Sequence, residues 1–165
     1  IKLFSFLIDK NQVNVEVDFD GKRYPVEIPK GSSTQQLNTF AAGETAVYQA
    51  DEIEVPLIEI AHARSGDKGN HSNIGVIARK AEYLPWIRAA LTEQAVASYM
   101  QHVLDAEKGR VIRYELPGLN ALNFMLANAL GGGGVASLRI DPQGKAFAQQ
   151  LLDMPVKVPA NLLEK

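Results

Sequence analysis

The stretch His62-Ala-Arg-Ser-Gly-Asp-Lys-Gly-Asn-His-Ser-Asn73 gathers an imidazole, a guanidinium, a hydroxyl, a carboxylate, an ammonium and amides into one short segment. Gly66 and Gly69 allow backbone shapes closed to other residues, so consecutive N–H groups can turn inward as an anion nest, with Arg64 and Lys68 adding fixed and mobile positive charge. A phosphate or carboxylate suits such a segment, with Ser65, Gly66, Gly69, Asn70 and Asn73 as its neutral donors. His62 has the chemistry of a general acid or base, with Asp67 or Glu59 to orient it. A plainer reading stands beside this one. Asp67 and Asn70 then satisfy their own turn, Arg64 pairs with Asp67, and the segment only solves a tight connection.

Other chemistries are less well supported. Ser65 lacks the Gly-x-Ser-x-Gly elbow of a serine hydrolase, so donating its hydroxyl to a ligand is the better reading. His62, Asp67 and His71 follow no metal-ligand spacing, and His102 falls on a separate helix away from its apolar face, so no metal is expected. Gly131 to Gly134 precede no Gly-Lys-Ser/Thr, and a helix C-cap with close backbone approach explains them better than a phosphate loop. Asn120 and Asn123 share one face of a segment read as an apolar helix, where they either line the same cleft or face water. Trp86 reads as core or interface.

The elements that must position these residues come from a chain of ordinary composition. Of its 165 residues, 46% are hydrophobic and 22% charged, the profile of a folded domain rather than of a disordered chain. A net charge of −2 gives nucleic acid or an anionic membrane nothing to hold. The absence of cysteine excludes disulfides, thiolate metal sites and a cysteine nucleophile, and fits a cytoplasmic protein. No apolar run is long enough to span a bilayer, and Ile1 to Ile8 is too short for a secretory signal. A first residue that is isoleucine rather than methionine predicts that the chain is a section of a longer polypeptide.

Residues 1–30 show strand periodicity in three runs, with Asp20-Gly21 a hairpin turn signal, and read as a β appendage that ends an upstream domain. Residues 31–52 read as a linker, and residues 53–165 as the main domain. There, Val55 to Ala61 and Ile74 to Ala78 are expected as strands flanking the polar loop, Pro85 near the start of a short helix, and Thr92 as the cap of an amphipathic helix carrying Val96, Tyr99, Met100, Val103 and Leu104. Val111 to Leu116 is a strand, Leu119 to Leu130 a helix, and a further strand runs through Ile140. Asp141-Pro142 opens a last helix with Phe147 and Leu151 buried, before a short strand at Val156 and Val158. With the Leu119 to Leu130 helix as an insertion, the order is that of an α+β ferredoxin-like (split βαβ) sandwich with an added edge strand and the N-terminal β appendage.

One long block and four shorter ones after it resemble one known family. Ile60-Ala-His-Ala-Arg-Ser-Gly-Asp-Lys-Gly-Asn70 with Asn73-Ile-Gly-Val-Ile-Ala78 is similar to the C-terminal region of the acyclic terpene utilisation (AtuA) family. So, in the same order, are Arg113-Tyr-Glu-Leu-Pro117, Leu119-Asn-Ala-Leu-Asn-Phe124, Leu130-Gly-Gly-Gly and Ser137-Leu-Arg139. The resemblance covers roughly Val55 to Leu152 and only loosely the first thirty residues. It implies a ferredoxin-like fold and a setting in bacterial breakdown of acyclic terpenoids such as citronellol and geraniol, or of related branched acyl-CoA compounds. It carries over no catalytic residue.

Two functions follow as expectations. In the first, the chain is the C-terminal domain of an AtuA-like protein and binds a small-molecule anion, an acyl-CoA above all. Arg64 and Lys68 hold phosphate or carboxylate, Asp67 fixes Lys68 or accepts a proton, and His62 is the acid or base. In the second, it is a non-catalytic assembly module that forms a homo-oligomer or docks on the upstream AtuA domain. Neither calls for a cofactor.

Overall fold

The computed structural model describes residues 6–29, 31, 43–47 and 51–163, which divide into two compact units, one within residues 3–39 and one from residue 40 onward. The first unit is a hairpin of β1 (Glu16–Phe19) and β2 (Lys22–Pro25). Its turn is Asp20-Gly21, both left-handed at φ 52° and 72°, as the twist of a two-residue hairpin requires. Of the three strands expected here, these two form. The first run begins in residues outside those described, and its continuation at Phe6 to Ile8 is not strand. Most of the expected linker also lies outside the described residues.

The second unit is mixed α+β. Its elements are β3 (Glu52–Pro56), β4 (Ala61–Lys68), β5 (His71–Ala78), α1 (Leu84–Ala90), α2 (Glu93–Tyr99), β6 (Arg110–Leu116), β7 (Ala121–Ala127), α3 (Phe147–Leu152) and β8 (Pro155–Pro159), with short 3₁₀ turns between. An antiparallel sheet runs in the order β4-β5-β7-β6, and β3 pairs with β8 in a separate antiparallel ribbon. The helix starts follow local chemistry. Pro85 sits in the first turn of α1, and the Thr92 hydroxyl accepts the N–H of Ala95 to cap α2. Val96 is buried on α2, but the helix ends at Tyr99, so Met100, Val103 and Leu104, expected on the same helix, lie in the turns after it, where Met100 and Val103 are still buried.

Three expectations are corrected. Residues 62–73 are not a loop: β4 and β5 pair in register from Ala61↔Ala78 to Lys68↔His71, and only Gly69-Asn70 turns. Gly69, at φ 68°, takes the first central place of that turn, where a side chain would be strained. Leu119 to Leu130 is not a helix but contains the central strand β7, paired on both sides. Its outward positions include Ala121, Met125 and Ala127, which hides the alternation and supplies helix-forming residues, so tertiary pairing overrides propensity. Residues 131–140 are turns rather than a strand, leaving Leu138 and Ile140 fully exposed.

The register sorts the sheet into two faces. One carries Ile74, Val76, Leu122, Phe124 and Leu126, which cluster with Ile87, Val96, Phe147 and Leu151 from the three helices and with Met100 just after α2. The other carries His62, Arg64, Gly66 and Lys68 from β4 and His71, Asn73, Gly75 and Ile77 from β5. It continues through Asn123 and Met125 of β7 to Ile112 and Tyr114 of β6. Ile77 and Tyr114 keep 44% and 46% of their surface in solvent, so this outer face is open where the inner one is packed.

Candidate functional site

A strand sends successive side chains to opposite faces, and this alternation divides the residues singled out above. His62, Arg64 and Lys68 stand on the outer face, while Ser65 and Asp67 point to the other side. Ser65 is buried, and its hydroxyl is fully engaged. It donates to the Gly144 carbonyl at 2.6 Å and accepts the Ala148 N–H at 2.9 Å, supplying a partner to the first turn of α3. Asp141 satisfies the neighbouring Lys145 and Ala146 N–H groups, so the expected cap at Asp141 acts just ahead of a helix that begins at Phe147. A hydroxyl held this way serves the fold rather than a ligand.

Asn70 and His71 are also engaged structurally. The Asn70 side chain donates to Asn128 Oδ1 at 3.1 Å and accepts the Gly132 N–H at 2.6 Å, while its carbonyl takes the N–H groups of Ala129 and Leu130. The His71 Nδ1 accepts the Asn128 N–H at 2.9 Å. Together they tie the β4–β5 turn to the glycine run after β7. A Cβ added at Gly133 would stand 2.2 Å from the Gly69 carbonyl oxygen, so close backbone approach explains that glycine. The run ends a strand, so the expected helix C-cap does not apply.

The open residues meet at a cavity of about 360 Å³ lined by Arg64, Ser65, Gly66, Asp67, Lys68, Asn73, Gly75 and Lys145. Lys68 Nζ donates to Asn73 Oδ1 at 3.1 Å and to the Asp67 carbonyl at 3.0 Å. Asn73 in turn donates to Asn123 Oδ1 at 3.0 Å, a chain of polar contacts across three strands. Of the two asparagines that the sequence places on a helix, Asn123 reaches this site, whereas Asn120 occupies the left-handed turn before β7. Lys145 arrives from the loop before α3 and lies 3.6 Å from Asp67 Oδ1, a solvent-exposed pair of small energetic weight. Asp67 therefore pairs with Lys145, not with Arg64. Among the described residues Arg64 has neither a hydrogen bond nor an ion pair, although it is exposed on the face.

His62 and Asp67 do not come together. They sit five positions apart on opposite faces of β4, roughly 17 Å along the strand. The His62 partner is Arg79, whose Nη1 lies 3.2 Å from Nε2 and whose Nε donates to the Ile58 carbonyl. A guanidinium can only donate, so Nε2 accepts and the ring proton is on Nδ1. His62 also borders a second cavity of about 310 Å³, whose lining is otherwise mostly apolar. Among the described residues no three His, Asp or Glu side chains are grouped as a metal site would need.

A family model described as the AtuA ferredoxin-like domain matches residues 55–157, from β3 to β8. The chain belongs to that family. No curated protein and no solved structure matches it. The match spans the sheet, its helices and both cavities of the AtuA ferredoxin-like domain, while the β1–β2 hairpin lies outside it. Among the described residues no helix is long and apolar enough to cross a membrane. Lys145 and Gly75 are the site residues that reasoning from the polar segment missed. Lys145 is remote in sequence and gives no signal, but Gly75 inside the run Asn73 to Ala78 is a glycine in mid-strand, a position that leaves the sheet surface above it without a side chain.

Proposed function

We propose that the domain binds a small anion, the phosphates or carboxylate of an acyl-CoA above all, at the Arg64–Lys68 end of its open sheet face. In this reading it is the C-terminal domain of a cytoplasmic AtuA-like protein in bacterial breakdown of acyclic terpenoids and branched acyl-CoA compounds. Its fold is a split βαβ sandwich in which β4 fills the edge place beside β5 and β8 pairs away with β3. The observation that carries the proposal is a charge surplus. Three cations, Arg64, Lys68 and Lys145, line one cavity with a single carboxylate, Asp67. An unengaged guanidinium beside two ammonium groups suits a carboxylate or phosphate, because the planar fork binds two oxygens at once. His62, on the same face, is the acid or base of this reading.

The test is a thermal-shift titration of the chain with free CoA, branched acyl-CoA thioesters and plain carboxylates, repeated on Lys68→Ala. Ligand at about a hundredfold over Kd adds roughly 2.7 kcal/mol of stability. A shift that weakens in the variant supports the reading, and the absence of any shift removes it.

A second reading, assembly into a homo-oligomer or on an upstream AtuA domain, is favoured by the hairpin. Every residue of β1 and β2 is exposed, with Phe19 at 72%, and a two-stranded hairpin without a covered face is marginally stable. Loss of the oligomer on deleting residues 1–50, with anion binding intact, would assign assembly to the hairpin.

A further inference from the structure

The polar cavity does not end at Arg64. Arg64 and Gly75 also line the second cavity, of about 310 Å³, which continues along the same face over Ile77, Leu116 and Ala121. Gly75 is the floor common to both. Among the described residues nothing requires glycine there. Its backbone is not left-handed, and an added Cβ would meet only the Arg64 carbonyl oxygen, at 3.9 Å. A glycine inside a paired strand weakens it and leaves the surface above it bare. It stands at the centre of the row Arg64, Gly75, Asn123 and Tyr114, with a bulky side chain at each end.

We propose, resting on the anion site above, that this face takes an amphipathic anion, an aliphatic chain with its charged head at Arg64, Lys68 and Lys145 and its chain laid across Gly75 toward Ile77, Leu116 and Ala121. Charge complementarity selects this occupant. A purely apolar partner would bury Arg64 without a counter-charge, a costly arrangement, whereas an inorganic anion would leave the apolar half in water. The depth at Gly75 lets the chain cross the strand without lifting from the sheet.

The test is amide chemical-shift titration of the full chain with acetate, butanoate, hexanoate, octanoate and octan-1-ol, repeated on Gly75→Val and Ile77→Thr. Both variants place strand-favouring side chains on an open face, so the fold is retained. In the wild type, Kd is expected to fall about two- to fourfold for each added methylene, and octan-1-ol to bind at least about tenfold more weakly than octanoate. Gly75→Val should abolish the chain-length dependence, and Ile77→Thr, which lies outside the anion cavity, should blunt it while leaving acetate binding. Equal Kd values from acetate to octanoate would overturn the inference and leave the anion site standing. Octan-1-ol binding as well as octanoate, with no acetate binding, would overturn both. Concentration-dependent shifts at Ile77 and Tyr114 without ligand would also overturn it, by showing that a second copy covers the face.

Discussion

The two faces of the four-stranded sheet are built from alternate residues of the same strands and do opposite things. Inward, β5 and β7 present Ile74, Val76, Leu122, Phe124 and Leu126, all within 1% of full burial. Outward, the same strands present Asn73, Gly75, Ile77, Asn123 and Met125, a surface of amides, small residues and partly exposed apolar groups. Sheet pairing accounts for both sets, but only the inner set is accounted for by the packing of this domain. The difference separates what folds the chain from what the fold is free to offer.

Substitutions on each face should separate stability from binding. The largest effect is expected at Phe124, fully buried between sheet and helices. Phe124→Ala should cost about 3–5 kcal/mol in urea unfolding, whereas Tyr114→Ala on the outer face should cost under about 1 kcal/mol. Comparable losses would remove the distinction between the faces. Ser65→Ala, which strips the partner from the Ala148 N–H and frees the Gly144 carbonyl, should cost about 1–3 kcal/mol although Ser65 lies in the polar segment. Retained stability would return Ser65 to the list of ligand donors.

How much of this was legible in the residues depends on where the alternation was visible. α1, α2, β6 and β8 were legible from local signals: Pro85 in the first turn of α1, the Thr92 cap of α2, the run of strand-favouring residues in β6 and the alternation of Val156 and Val158 in β8. Such signals survive without knowledge of the neighbours. The polar segment was recognised as the place of interest, yet its shape was not. His62 to Lys68 reads as a loop because an edge strand with one open face carries few β-branched residues. β7 was lost for the converse reason, since a central strand with alanine and methionine on its outward face shows no period of two. Lys145 and Asp67 meet only through the tertiary path of the chain before α3, and no spacing announces that contact.

A smaller effect is expected away from both faces, at the turn between α2 and β6. Asp105 Oδ1 accepts the N–H groups of Lys108 and Glu107, and these bonds, Lys108 first, hold its carboxyl below the ordinary value of 3.8. A lowered carboxylate stabilises the folded chain above its ordinary value, and that contribution is lost as pH falls through the lowered one. The urea midpoint of the wild type should therefore drop more steeply below about pH 4 than that of Asp105→Asn, by a small margin for so exposed a group. Parallel curves would remove this turn from the account of acid stability.

The central claim is that the outer face binds and does not stabilise. It is tested most directly on Arg64→Ala by measuring octanoate affinity and urea stability on the same sample. Removing a charge-assisted contact while touching no protein partner should weaken binding about tenfold or more and leave stability within about 0.5 kcal/mol. Unchanged affinity, or a loss of stability as large as that of a buried residue, would contradict it.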